Sequence, residues 1–271
     1  MIRILDFDKV KPEEILNRDL RAEKNVEDVV DAIIAEVRAR GDAALCEYAA
    51  KFDGAALTEE TLQVTQEEID EAFAGLDAYF LETLRAAAEN IRAFHAEQVH
   101  KNFVMNEKDG VILGQKYTPI EKAGVYVPGG TAAYPSTVLM DVIPAKVAGV
   151  RDIVMTTPAG RDGRVNPVIL AAAATAGVTK IFKTGGAQAV AALAYGTARI
   201  PAVDKIVGPG NIYVATAKRK VYGKVGIDMI AGPSEILVLA DGSCEPAWVA
   251  ADLLSQAEHD KLASPVLVTD S

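Results

Sequence analysis

The spacing of apolar residues divides the sequence into a first part typical of amphipathic helices and a second part of alternating strands and helices. In the first helix the apolar residues recur at helical intervals, at Val26, Val29, Val30, Ile33, Ile34 and Val37. Asn25 is the predicted N-cap of this helix, and Gly41 is expected to end or bend it. The pattern therefore predicts a helix that buries one apolar face.

Further helices and one hairpin are predicted before residue 122. Thr65 and Glu68 have the spacing of a capping box at the start of a short helix. A long helix is expected from about Asp77 to Lys101. Residues 103–118 alternate around a Lys-Asp-Gly turn, which predicts a β-hairpin.

After Glu121 a short apolar strand is followed by a helical segment four times in succession. This alternation predicts βαβ crossovers and a parallel sheet with helices on its faces. Each strand ends in Gly or Pro just before a helix, where open α/β sheets bind ligands. Pro144 is expected to end or kink the first of these helices.

The net charge and the glycine content change where the pattern changes. Residues 1–122 carry 26 acidic and 15 basic side chains, whereas residues 123–271 carry 12 and 13. Glycine rises from 5 to 16 and proline from 2 to 10 across the same point. The shift predicts a change of architecture near residue 122.

Composition excludes several classes of protein. With two cysteines in 271 residues, Cys46 and Cys244, a secreted disulfide framework is not expected, so the sequence predicts a cytoplasmic protein. A pI near 4.9 argues against nucleic-acid binding, which needs a basic face. No apolar run is long enough for a membrane span, and the first residues lack the core of a signal peptide.

The segment Gly208–Tyr213 is similar to a dinucleotide-binding fingerprint, with Asp228 some twenty residues on. Tyr213 stands where the fingerprint needs a third small residue for helix–strand packing, so the match is incomplete. The glycine-lined strand ends could present N–H groups to a phosphate. Alternatively, they hold glycine only because tight turns need positive φ.

Gln256 and His259 lie three residues apart, so both project from one face of a predicted helix. An imidazole nitrogen and an amide oxygen can both bind a metal, but two ligands do not complete a zinc site. The alternative is a histidine at a helix end, which the helix dipole favours.

Several long segments, in their order along the chain, closely resemble histidinol dehydrogenase. They are ARGDAALCEYAAKFD, GVYVPGGTAAYPSTVLMDVIPAKVAG, KTGGAQAVAALAYGT, DKIVGPGNIYVATAKRKVYG, IDMIAGPSEILVLAD and ADLLSQAEHD. The resemblance covers nearly the whole chain. It implies oxidation of L-histidinol through L-histidinal to L-histidine, in histidine biosynthesis, with NAD and zinc as cofactors.

The resemblance also implies site residues. By the family's motifs, Tyr126, Gln188 and Asn211 would contact NAD. Ser234 would bind the substrate, and Gln256 and His259 would bind zinc together with the substrate.

In the family a Glu-His pair and two further zinc ligands, Asp and His, lie downstream of the zinc motif. The twelve residues after His259 contain neither His nor Glu. We therefore expect no catalytic residue in this chain, which would be a truncated N-terminal portion that is inactive alone. Family members are homodimers whose C-terminal part reaches the neighbour's site; the oligomeric state of this portion stays open.

The expected fold class is α/β: two lobes with incomplete Rossmann-like parallel sheets flanked by helices, and a helical N-terminal segment. Residues 1–122 would begin the first lobe, residues 123–235 would form a glycine-rich NAD-associated lobe, and residues 236–271 would return to the first lobe. Two alternatives remain at this point: a related zinc and NAD enzyme that oxidises another polar alcohol, or a noncatalytic α/β ligand-binding module.

Overall fold

The computed structural model describes residues 3–6, 8–11, 21–129, 133–230, 234–259 and 263–270. The helices are α1 (Arg21–Arg40), α2 (Asp42–Tyr48), α3 (Gln66–Ala74), α4 (Ala78–Ala96), α5 (Pro135–Val147), α6 (Pro167–Ala176), α7 (Gly186–Tyr195), α8 (Ile212–Val221) and α9 (Pro246–His259). A π-helical turn, Ala49–Asp53, follows α2. The strands are β1 (Phe103–Lys108), β2 (Val111–Gln115), β3 (Lys122–Tyr126), β4 (Asp152–Thr157), β5 (Lys180–Lys183), β6 (Lys205–Val207), β7 (Gly226–Ile227), β8 (Ile236–Ala240) and β9 (Pro265–Thr269).

Local signals at the N-terminal helices are confirmed in part. Thr65 and Glu68 form the predicted capping box, with both reciprocal hydrogen bonds present. The prediction that Asn25 caps α1 is wrong, because α1 begins at Arg21 and runs through Asn25. Residues 21–24 are mostly good helix formers, so nothing in the sequence stops the helix there.

Two other boundaries differ from the sequence prediction. Helix α4 starts after its Asp77 N-cap as expected, but it ends at Ala96 rather than near Lys101. Pro144 does not end α5, which continues to Val147. The proline removes a single intrahelical hydrogen bond, and the neighbouring buried residues Val142 and Ile143 hold the helix in place.

The alternation of strand and helix after residue 121 produces the predicted parallel sheet. Among the described residues it contains five strands in the order β5-β4-β3-β6-β7, and every pairing in it is parallel. Numbered along the chain, this order is 3-2-1-4-5, as in a Rossmann fold. The order reverses between β3 and β6, so a crevice opens there at the carboxyl ends of the strands.

Alternate side chains of strands β3 to β6 enter two hydrophobic cores on opposite faces of the sheet. On β3, Ala123 and Val125 pack against α5 and α6 in one core, whereas Tyr126 packs in the other. Helices α7 and α8 cover this second face. Both faces are therefore dry, as expected for a parallel sheet.

The N-terminal helices bury their apolar stripes against the helices of the sheet. Helix α1 packs on α7 and α8, while α3 packs on α6 and α4 on α5. Val30 and Val37 of α1 are almost completely buried in this way. The described part of residues 21–96 thus shares its cores with the sheet, and the lobe boundaries stay a prediction.

Two smaller sheets lie outside these cores. Strands β1 and β2 form the predicted antiparallel hairpin, whose side chains are exposed. Strands β8 and β9 pair in parallel through the crossover helix α9. In the part of the chain that the structure describes, no helix combines the length and apolarity that crossing a bilayer requires.

Candidate functional site

A cleft of about 1130 Å³ opens at the carboxyl ends of β3, β4 and β5, beneath α1 and the π-helical turn. Its lining includes the loops that follow these strands, the starts of α7 and α8, and residues of α1, α3, α6 and the π-helical turn. Tyr126, Gln188 and Asn211, the three residues that the resemblance implied for NAD, all line it. The volume is sufficient for a ligand larger than most drugs.

Close contacts around Pro158 hold the strand-end loops together. A Cβ atom on Gly129 would overlap the ring of Pro158, and one on Gly185 would lie 2.9 Å from its Cβ. The loops after β3, β4 and β5 therefore meet at one proline ring. Glycine is required at both positions for close approach, in addition to any role in a turn.

Tyr126 links the end of β3 to the start of α7. It is only 3% exposed, and its hydroxyl accepts a hydrogen bond of 3.1 Å from the backbone N–H of Gly186. Burial raises the pKa of Tyr126 to about 12, and the nearby charge of Asp53 acts in the same direction. The phenol therefore stays neutral at physiological pH and helps position Gly186, whose φ is +64°.

Gln188 and Asn211 are held by their helix termini. Gln188 is 2% exposed, and its side chain lies against Gly186 at the start of α7. Asn211 is the N-cap of α8, and its Oδ1 accepts hydrogen bonds from the N–H groups of Tyr213 and Val214. Its Nδ2 can therefore still donate to a ligand.

An ion pair between a buried lysine and a partly exposed aspartate fixes the loop that follows β6. Lys218 is 2% exposed, forms a salt bridge with Asp228 and donates a hydrogen bond of 2.9 Å to the carbonyl oxygen of Gly208. Asp228 Oδ2 accepts a hydrogen bond of 2.9 Å from the N–H of the same glycine. Both backbone groups of Gly208 are thus bound by one ion pair.

This clamp, the ion pair of Lys218 and Asp228 on Gly208, explains why Asp228 does not act as the acidic residue of a dinucleotide-binding fingerprint. Its Oδ1 also accepts a hydrogen bond of 2.7 Å from the N–H of Met229, so both oxygens have partners within the protein. Its spacing from Gly208 reflects loop fixation rather than ribose recognition.

Asp141 of α5 adds a second carboxylate near this pair. Its Oδ2 is buried and has no hydrogen-bond partner among the residues that the structure describes. Burial and, to a smaller extent, the charge of Asp228 raise the pKa of Asp141 to about 7, although Lys218 opposes the shift. At neutral pH a large fraction of Asp141 therefore carries a proton.

Asp141→Asn is expected to make stability less dependent on pH. The native carboxyl keeps its proton up to about pH 7, whereas the unfolded chain releases it near the ordinary pKa of 3.8. Raising the pH from 4 to 7 therefore lowers the free energy of unfolding through this group. Asparagine should flatten that slope and raise stability at pH 8 by about 2 kcal/mol, measured by urea denaturation across this range.

The matched control is Asp152→Asn. Lys180 lowers the pKa of this exposed carboxyl, so its contribution should change only below about pH 4. An unchanged slope between pH 4 and 7 in Asp141→Asn would contradict the assignment.

The residues that the resemblance implied for substrate and zinc lie on a different part of the chain. Ser234 is exposed and precedes β8, and Gln256 is half-buried on α9. His259 is the last residue of α9, and its side chain lies outside the described part of the structure. The lining of the cleft includes neither Ser234 nor Gln256.

The donor set fits zinc only in part. Gln256 and His259 are of suitable types, but they supply half of a four-ligand shell. Within the described ranges, no group of three or more His, Cys, Asp or Glu residues could hold a metal ion.

Sequence reasoning missed Lys218, and a signal for it exists. Val214, Ala217 and Val221 form the buried stripe of α8, and Lys218 falls on the same stripe. A lysine on an apolar stripe indicates a buried cation with a partner, since an unpaired one would be too costly. Asp53 was missed as well. It lines the cleft, but no sequence pattern indicates this, because its position there depends on contacts with residues that are distant in the sequence.

Comparison with known proteins places the chain in one family. The sequence profile described as histidinol dehydrogenase matches residues 16–271. The histidinol dehydrogenase of Geobacillus kaustophilus is 62% identical over 239 residues, which are 88% of this chain and 56% of that protein. That of Bacillus subtilis is 59% identical over 242 residues, 89% of this chain and 56% of that protein.

A solved structure agrees with the fold. The crystal structure of histidinol dehydrogenase from Elizabethkingia anophelis superposes with a TM-score of 0.82 at 40% identity, covering 94% of this chain and 61% of that one. The chain thus spans little more than half the length of the relatives it matches.

Proposed function

Because the chain belongs to the histidinol dehydrogenase family, we propose that it is the N-terminal part of an enzyme that oxidises L-histidinol to L-histidine through L-histidinal. The family is one of oxidoreductases. In the proposed reaction two hydrides pass in succession to two molecules of NAD, and the second oxidation consumes one water. The protein would act in the cytoplasm, as a homodimer.

The observation that carries the NAD assignment is the convergence of Tyr126, Gln188 and Asn211 on one cleft. The cleft lies where the strand order reverses, which is the usual dinucleotide position in such sheets. Tyr126 and Gln188 line the cleft, the N–H of Gly186 donates to the Tyr126 hydroxyl, and the Asn211 amide is available as a donor to a ligand. We infer that these groups bind and orient NAD.

Ser234, Gln256 and His259 are proposed to bind the substrate. Gln256 and His259 would supply two ligands to a zinc ion that also holds histidinol. When bound, the zinc would act as a Lewis acid that grips the amino and imidazole groups and orients the alcohol. Spacing on the last turn of α9 supports the pair, since residues three apart share a helix face.

The groups that take up the released protons are assigned to segments of the family that follow the matched region. The 271-residue chain alone is therefore expected to be inactive, with weak binding of NAD and zinc at most. NADH production from histidinol by this purified chain would overturn the assignment.

The complete gene product gives the direct test, by NADH formation from L-histidinol and by its zinc content. His259→Ala should lower the zinc bound per protomer at least about 10-fold and the rate in proportion, since a ligand is lost. Glu258→Gln, which alters the adjacent residue on another helix face, is the matched control. Unchanged zinc content in His259→Ala would refute the proposed ligand, and faster oxidation of another polar alcohol would refute the proposed substrate.

A further inference from the structure

The loop after β4 lacks a feature that a Rossmann-like nucleotide site normally has. In such sites an acidic residue about twenty positions beyond the glycine turn, at the end of the second strand, binds the ribose 2′-hydroxyl. Strand β4 is the second strand here; it ends at Thr157, and Pro158, Ala159 and Gly160 follow it. No carboxylate is present at that position.

A segment from the N-terminal part of the chain lies against this same loop. Ala49, the first residue of the π-helical turn, and Ala55, which follows it, pack with Ala159 in a small buried cluster. A Cβ on Gly54 would lie 3.3 Å from Cγ of Arg161, so the Arg161 side chain lies against the backbone of Gly54. The turn is thereby held over the end of β4.

Asp53, the last residue of the π-helical turn, lines the cleft. Its Oδ2 is buried and has no hydrogen-bond partner in the described part of the chain. An unpartnered buried acceptor is costly, and a ligand that donates a hydrogen bond would offset that cost. Asp53 is also close enough to Tyr126 for its charge to influence the tyrosine, so it faces the proposed NAD site.

The other acidic groups around the cleft have partners within the protein. Glu68 accepts a hydrogen bond of 2.6 Å from Lys183, and Glu71 accepts one of 2.7 Å from Arg164. Asp162 lies further along the loop after β4, where it is exposed and accepts a hydrogen bond of 3.0 Å from the N–H of Arg164. Asp53 is therefore the best-placed free acceptor among them.

We propose that Asp53 accepts the 2′-hydroxyl of the adenosine ribose of the bound dinucleotide, supplying from the π-helical turn the acid that β4 lacks. The inference rests on the proposed binding of NAD. A carboxylate at this position would also repel a 2′-phosphate, so Asp53 would set the preference for NAD over NADP. Arg161, beside Gly54, is the nearby cation that a 2′-phosphate would meet once the carboxylate is removed.

Asp53→Asn tests this proposal by binding rather than by turnover. Calorimetric titration of the complete gene product with NAD, NADP and the 2′-deoxyadenosine analogue of NAD would give three dissociation constants for each variant. The unmodified protein should bind NAD about 10-fold more tightly than either other ligand, since a charge-assisted hydrogen bond is gained only with NAD. In Asp53→Asn all three constants should agree within about 3-fold.

Asp162→Asn is the matched control, since it changes the other acidic residue near the loop after β4 and should alter each constant less than about 2-fold. Equal preference for NAD in the unmodified chain and in Asp53→Asn, with thermal unfolding unchanged, would overturn the role of Asp53 alone. Loss of the preference for NAD in Asp162→Asn, but not in Asp53→Asn, would also overturn the role of Asp53. If the unmodified complete protein bound no dinucleotide, both this role and the proposed cofactor site would fail.

Discussion

Gly208→Ala is expected to lower the free energy of unfolding by about 4 kcal/mol and to abolish dinucleotide binding in the cleft. Gly208 has φ +118°, which L-residues rarely adopt. A Cβ there would overlap the carbonyl oxygen of Tyr126 and lie 3.0 Å from its carbonyl carbon. Because the obstacle is backbone in the central strand, β3 and the loop after β6 would have to separate.

Gly223→Ala separates the two causes of this loss of stability, the strain of a positive φ and the overlap with the backbone of Tyr126. Gly223 has φ +96° but no atom within 4 Å of a built Cβ, so alanine there meets the backbone strain alone. Its cost should be about 1–2 kcal/mol. Guanidinium denaturation of both variants would measure the difference, and equal costs would show that the contact with Tyr126 contributes nothing.

Lys218→Met should destabilise the protein by about 3 kcal/mol. Methionine fills a similar volume but removes the hydrogen bond to the carbonyl oxygen of Gly208 and the charge opposite Asp228. Two neighbouring carboxylates, Asp228 and Asp141, would then share a site without a cation. Because the Asp228 side chain is 29% exposed, the expected loss is at the lower end of the range for buried pairs.

A double-mutant cycle with Asp228→Asn tests the clamp. Since each single change leaves a polar group without its partner, the double variant should lose at least about 1 kcal/mol less than the sum of the two. Strict additivity in chemical denaturation would contradict a direct pairing of Lys218 with Asp228.

Local features of the fold could be predicted from sequence because they depend on neighbouring residues. The capping box at Thr65, the β1–β2 hairpin and the four strand–helix repeats are all short-range patterns. Helix ends were less predictable, as the extension of α1 through Asn25 and the continuation of α5 past Pro144 show. In both cases no single residue terminates the helix, and propensity or packing decides the boundary.

The candidate site was predictable only where motif resemblance could supply it. The three residues assigned to NAD come from separate segments and meet only because the sheet order brings β3, α7 and β6 together. Asp53 lies more than a hundred positions before the loop it approaches, Ala159 to Arg161, and no spacing rule connects them. Long-range packing of this kind leaves no periodic signal in a single sequence.

The meeting of three loops at Pro158 has an evolutionary consequence. A side chain larger than hydrogen at Gly129 or Gly185 is excluded by the ring of that proline. Substitution at either glycine would become tolerable only after residue 158 had changed to a smaller side chain, so the order of mutations matters. Positions 129, 158 and 185 should therefore show sign epistasis: the residue at 158 determines which side chains are tolerated at 129 and 185.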